Sequence, residues 1–287
     1  MKRPAFLLLL TLSLAASAAR PALPRFGNEA ADTTRLNEIL IDAAAHTFRS
    51  PEARTAYVAQ LFEGVPYAAH TLEAPEEVLT VRLDSLDCTT FVETALALSY
   101  TVGERRTSWR DFVFNLERFR YRNGRLNGYP SRLHYICDWA VDNSHRGNII
   151  DVTDRLPRTS HVVRSIDFMS THRDAYPALA DSANFAQIKS IESGYRNHRF
   201  PYIKTQDLRS SDVQAALRTG DVVALVTKIR NLDVTHMGII VKNEKGVPYL
   251  LHASSSHGRV EVSSVPLADF MKRNTSLLGI RVFRMVD

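Results

Sequence analysis

Two thiols, Cys88 and Cys137, and ten imidazoles are the groups in this 287-residue sequence best suited to nucleophilic chemistry, and Cys88 has the more telling neighbours. Asp87 before it is a good helix N-cap. After it, Val92, Ala95, Leu96, Ser99 and Tyr100 keep helical spacing, which puts the thiol in a first turn. Unpaired N–H groups and the positive end of the helix dipole favour a thiolate there, so a lowered pKa is expected. A sulfur nucleophile also needs a base and a group that orients the base. His236 stands at the head of the apolar run Thr235 to Val241, and His252 lies within Tyr249 to Ala253. A single polar side chain in such a strand is most often a core residue with a satisfied partner. Two of them can be tested by hairpin geometry. If Glu244-Lys245-Gly246 is a three-residue loop with Gly246 in the left-handed conformation, Asn243 pairs with Val247 and Gly238 stands opposite His252. His236 is then on the same face, diagonal to His252. A four-residue loop would put the two on opposite faces.

Cys88 and Cys137 could instead form one structural disulfide, the bland reading for two cysteines in an exported chain. His134-x-x-Cys137 has ligand-like spacing but lacks a second pair, so neither a metal nor another cofactor is expected.

The elements that must hold these groups are legible from caps and periodicity. A helix is expected after Asp32-Thr33, with Leu36, Ile39, Leu40 and Ala43 on one face, and another from Pro51, capped by Ser50 and ended by Gly64. After the Cys88 helix, Trp109, Phe112, Val113, Leu116 and Phe119 mark a further one from Ser108, and Ser131 is the expected cap of a helix with Ile136, Trp139 and Ala140. Strands are expected at 149–152 and 161–169, then a helix at 181–193. The last third reads as short strands, at 221–227, 235–242, 248–253, 259–262 and 277–285, in an antiparallel meander. Helices first and strands later indicate an α+β fold, with residues 104–210 as an insert or subdomain.

Apolar residues at 45% and charged residues at 23% are globular proportions and exclude disorder. Lys2-Arg3, the apolar run Ala5 to Leu14 and Ala16-Ser17-Ala18 read as a signal peptide over residues 1–18, which implies export, to the periplasm, of a single domain at 19–287. No later window is apolar enough for a membrane anchor. Loss of Lys2 and Arg3 would leave the chain with only three excess positive charges. These are scattered among acids, which argues against nucleic acid as a partner.

Asp87-Cys88-Thr89-Thr90-Phe91-Val92, Thr219-Gly220-Asp221-Val222-Val223, Thr235-His236-Met237-Gly238-Ile239 and Leu251-His252-Ala253-Ser254-Ser255, with Gly64-Val65-Pro66-Tyr67, occur in the order and contexts found in the NlpC-type papain-like cell-wall hydrolases. The chain departs from most of them in having Thr89-Thr90 where they carry Ser-Gly, and in its 132-position separation of Cys88 from Gly220. The long insert, with Ser131 to Tyr135 and Asp138-Trp139, is similar to an N-acetylmuramoyl-L-alanine amidase-like subgroup. This resemblance implies a papain-like fold of N-terminal helices on a C-terminal antiparallel sheet. It also implies Cys88 as nucleophile, His236 as general base, His252 as its orienter, and Tyr67 beside the nucleophile for substrate or oxyanion binding. Peptidoglycan fragments are the implied partner, and the implied reaction is hydrolysis of the N-acetylmuramoyl-L-alanine amide through a thioester. A γ-D-glutamyl-diamino acid endopeptidase with the same triad and a non-catalytic wall-binding protein are the alternatives. Within the insert, Arg132, His134 and Tyr135 have the donors and aromatic faces that suit a sugar and a carboxylate-bearing peptide, while Trp139 is as well explained by packing.

Overall fold

The computed structural model describes residues 23–286, so the leader expected at 1–18 lies outside the described residues. Helices begin where the sequence supplies caps. α1 (Glu29–Ala44) starts one turn before the expected Asp32, because Asn28 accepts the Ala31 N–H, while Asp32 takes the N–H groups of Asn28 at 2.9 Å and Leu83 at 3.1 Å. α2 (Pro51–Gln60) is capped by Ser50, as its Ser-Pro-Glu start implies. α3 (Cys88–Gly103) opens with a reciprocal capping box, in which the Asp87 carboxylate takes the Thr90 N–H at 2.7 Å and the Thr90 hydroxyl takes the Asp87 N–H at 2.9 Å. α4 (Trp109–Arg120) follows from Ser108. α5 (Ile136–His145) begins later than Ser131 predicts, because the Ser131 hydroxyl is committed to Gly128 and Asn127 in a preceding 3₁₀ turn. Four shorter or peripheral helices complete the set among the described residues: α6 (Phe168–Thr171), α7 (Ser182–Ser193), α8 (Ser211–Ala216) and α9 (Leu267–Arg273).

β1 (Arg25–Phe26) and β2 (Thr80–Val81) form a small parallel pair. The main sheet is antiparallel and contains β3 (Ile149–Asp151), β4 (Thr159–Arg164), β5 (His198–Lys204), β6 (Val222–Thr227), β7 (Val234–Lys242), β8 (Pro248–Ser254), β9 (Arg259–Val262) and β10 (Leu277–Met285). Its order is β4-β5-β10-β6-β7-β8-β9, with β3 also paired to β10. β6 to β9 form the expected meander, but β10 does not extend it. α9, buried through Leu267, Ala268 and Met271, carries the chain back so that β10 pairs on the far side of β6. The strand expected at 161–169 ends at Arg164 and gives way to α6. No strand is expected from the sequence where β5 lies; Pro201 stands within it, and β5 meets β10 only at Ile203 and Lys204, clear of the missing N–H.

Alternation along the strands divides the interior. Met237, Ile239, Val241 and Leu251 face α1 to α4 in a core with Leu36, Phe62, Phe91 and Leu96, while Leu225, Ile240 and Leu250 face α9 and Ile280. A third cluster, around Tyr135, Cys137, Ile166, Met169 and Phe200, belongs mostly to the 104–210 stretch. Trp139 is wholly buried edge-on to Phe283, 5.8 Å between ring centroids, which is a packing role. Helices and antiparallel sheet together give the α+β class. Among the described residues no helix is long and apolar enough to cross a membrane.

Candidate active site

Cys88 is the first residue of α3 and keeps partial contact with solvent. Its sulfur meets the main chain of Met237 and Thr89, and both contacts favour the thiolate. They do not prevail. Burial, with the Asp87 charge adding to it, pushes the thiol up to about 11, so the lowering expected from the helix start is overturned. The same carboxylate that caps the helix offsets its dipole at the sulfur. Cys88 and Cys137 are both free thiols, not a disulfide.

The histidines follow from register. Asn243 donates to Val247 at 3.1 Å, Gly246 has φ +75°, and Ile239 pairs with Leu251, which is the ladder the three-residue loop predicts. Gly238 is needed there, since a Cβ at that position would lie 2.7 Å from the Leu251 oxygen and 3.1 Å from the His252 Cβ. A bulge between β6 and β7 leaves Thr235 unpaired immediately before His236, and bulges of this kind re-aim the next side chain. The His236 Nε2 and His252 Nδ1 are 2.8 Å apart, with the rings nearly perpendicular at 89°. Burial holds His236 down to about 3, with His252 adding to the effect, and burial likewise holds His252 down to about 4. Both are neutral at physiological pH.

Cys88 and His236 line one cavity of about 170 Å³ together with His134, Tyr135, Tyr176 and Asp233. The Nε2 of His134 lies 3.0 Å from the Tyr129 carbonyl, which can only accept, so the proton is on Nε2 and Nδ1 is left as an acceptor. Burial pushes this imidazole down to about 3, which keeps it neutral. The Tyr135 hydroxyl is committed to the insert, donating to Glu192 at 2.7 Å and accepting the Met169 N–H at 2.7 Å. Arg132 lies outside this lining. It pairs with Glu73 at 2.8 Å and Glu77 at 3.5 Å and covers the Tyr129 ring, so its charge is spent within the fold. Tyr67 is placed by the Pro66 and Tyr67 bridges to Arg259 and Leu86, and burial raises its phenol pKa, with the nearby Cys88 and Asp87 groups adding to the effect.

Asp233 was not read from the sequence. Buried three residues before His236, it accepts the N–H groups of Cys137 at 2.6 Å and Val234 at 2.8 Å. It thereby caps α5, which has no side-chain cap of its own. An acid at the start of a strand was the available signal; its partner 96 positions away was not.

A neutral thiol and a neutral imidazole lining one cavity, the imidazole backed by a second, are groups able to exchange a proton as a sulfur–carbon bond forms. Comparison with known proteins gives the family. The AmiA-like, N-acetylmuramoyl-L-alanine amidase-like family matches residues 57–280. A solved structure named as an N-acetylmuramoyl-L-alanine amidase from Bacteroides uniformis is 37% identical over 83% of this chain and 99% of its own, with a TM-score of 0.78. A Bacteroides fragilis protein given the provisional name of a xylanase is 39% identical over 79% of this chain and 99% of its own, with a TM-score of 0.74. A Legionella pneumophila protein of the DUF1460 family, 20% identical over 91% of this chain and 97% of its own, shares the fold with a TM-score of 0.68. A search of curated proteins gave no match. From the extent of the family match and of the Bacteroides likenesses, the chain belongs to the AmiA-like, N-acetylmuramoyl-L-alanine amidase-like family.

Proposed function

We propose that the protein is an exported, periplasmic cysteine amidase of papain-like, NlpC-type architecture that hydrolyses the N-acetylmuramoyl-L-alanine amide of peptidoglycan fragments. The observation that carries this reading is the single cavity shared by Cys88 and His236, with His252 2.8 Å behind the base. For His236 to accept the thiol proton at Nδ1, its Nε2–H donates to His252 Nδ1, and His252 carries its own proton on Nε2. The sulfur attacks the lactyl carbonyl as His236 takes the proton. Charge collects on the carbonyl oxygen, for which the Cys88 N–H, with no acceptor among the described residues, and Tyr67 are the available donors. His236 then protonates the nitrogen of L-Ala, the carbon–nitrogen bond breaks, and a thioester remains. Water, deprotonated by His236, releases the muramoyl carboxylate and restores the thiol. His134 Nδ1 offers the substrate a neutral acceptor that selects an N–H or O–H donor.

A glycosidase reading, suggested by the xylanase name of one relative, fits poorly. Sugar hydrolysis uses two flanking carboxyl groups, and the cavity's carboxylate, Asp233, is already bound to two main-chain N–H groups. Mass spectrometry of the products from one defined muramoyl peptide tests the proposal. The amidase leaves a free L-Ala N-terminus, whereas the endopeptidase cuts after D-glutamate. Absence of any cleavage, with the Cys88 thiol titratable in the folded protein, would leave the wall-binding alternative.

A further inference from the structure

A second cavity, of about 470 Å³, adjoins the first at Thr235 and His236 and is larger than the one that holds the nucleophile. It runs from His236 and His252 past the hydroxyls of Ser254, Ser256 and Ser263 to Arg273 on the last turn of α9. At Asn274 and Leu277 it meets a third cavity, of about 520 Å³, whose charged lining consists of Lys204, Arg209, Lys228 and Lys272. The acids along this path are engaged: Glu261 with His257, and Asp269, at the α9 start, with Arg209 at 2.5 Å. Lys228 donates to the Thr275 carbonyl at 2.6 Å. Arg273, Lys272 and Lys204 make no ion pair among the described residues. The Ser263 hydroxyl is already bonded to the Leu250 N–H and the Val265 carbonyl and the Ser254 hydroxyl to Ser256 and the His257 N–H, so what the path offers is three uncommitted cations.

We infer that this path from His236 to Arg273 and Lys272 is the docking site of the leaving peptide stem, whose carboxylates it holds. The inference rests on the amidase reading. A leaving nitrogen must lie within reach of the imidazole that protonates it, so the chain attached to that nitrogen departs on the imidazole's side of the sulfur. The larger cavity shares Thr235 and His236 with the nucleophile's cavity and so begins at that imidazole. Its unpaired cations suit a chain that carries carboxylates and no sugar. A stem residue spans about 3.3–3.6 Å when extended, so a few residues carry the carboxylates from the dyad into the cationic part.

Two measurements test this separately from the amidase reading. Steady-state hydrolysis would be measured with a muramoyl peptide whose stem carboxylates are free and with the same compound amidated. Arg273→Glu is expected to raise KM roughly five- to tenfold for the free acid with kcat within about twofold, and to leave the amidated substrate unaffected. Equal KM values for Arg273→Glu and wild type on the free acid would overturn the inference while leaving the amidase reading intact. Binding of the free stem peptide to Cys88→Ala would be followed by calorimetry, with and without Arg273→Glu. If no substrate is hydrolysed, the amidase reading falls and this measurement decides alone: weakening by Arg273→Glu supports the docking site, and unchanged or undetectable binding removes it.

Discussion

Two thiols in the first turns of two helices meet opposite fates. Cys88 opens α3 beside a cavity and an imidazole; Cys137 is the second residue of α5 and is 0% exposed. Burial raises the pKa of both, and Cys137 even has the Arg281 guanidinium 3.1 Å from its sulfur, a cation that should favour a thiolate. If a helix start and a nearby positive charge were sufficient for reactivity, Cys137 would be the better nucleophile. What separates the two is access and an imidazole in the same cavity. A raised pKa can be tolerated where a neutral imidazole removes the proton during attack, whereas Cys137 is fully buried.

The sharpest break of this contrast is substitution of each thiol in turn. Cys88→Ala should cost at least about 10³-fold in hydrolysis, and Cys137→Ala should stay within a few-fold of wild type; comparable losses in rates of amine release would erase the distinction. Removal of the proposed base comes next, with His236→Ala expected to lose about 10²- to 10⁴-fold. His252→Ala should lose about 10- to 100-fold, because an orienting partner is removed and the base itself stays. A pH series separates the thiols differently. Alkylation of Cys88 by iodoacetamide should climb steadily as pH rises toward about 11, while Cys137 stays unmodified until the protein unfolds; a plateau below pH 7 for Cys88 would mean a stabilised thiolate. The smallest effect belongs to the inert thiol. Cys137→Ala strands a buried Arg281 donor and should lower stability by about 1–3 kcal/mol in a urea titration.

The imidazoles around Cys88 also set how the fold responds to acid. His134, His236 and His252 are held near 3, 3 and 4, below the ordinary value of 6.5. The unfolded chain takes up these protons as pH falls through 6.5, and the folded chain does so only near 4 to 3. Their neutral burial is therefore fully compatible with folding above pH 6.5, and stability is lost as pH falls from there toward 3. The denaturation midpoint should drop across that window, and His134→Phe should flatten the drop.

Local signals carried the sequence reading furthest. Asp87 and Ser50 named their helices because a cap acts within three residues, and the Gly246 loop fixed the pairing of β7 with β8 because a hairpin register is set by its turn. That was enough to bring His236 and His252 together. Long-range competition defeated the rest. Nothing near Leu277 says that β10 passes over the meander to pair with β6, and nothing near Arg132 says that Glu73 and Glu77 claim its charge. The expected low thiol pKa failed in the same way: the dipole is a local property of the helix, but desolvation depends on everything packed around it.

The carboxylate of Asp233 joins the start of β7, just before His236, to the head of α5, so the aromatic wall of the cavity and the His236 imidazole are fastened to one another. A substrate that presses on Tyr135 therefore pulls on the very strand that holds the imidazole. Exchanging the insert for that of a relative would leave this tether without its mate, and a grafted specificity would arrive with a misaligned base unless the aspartate and its N–H partner travelled together.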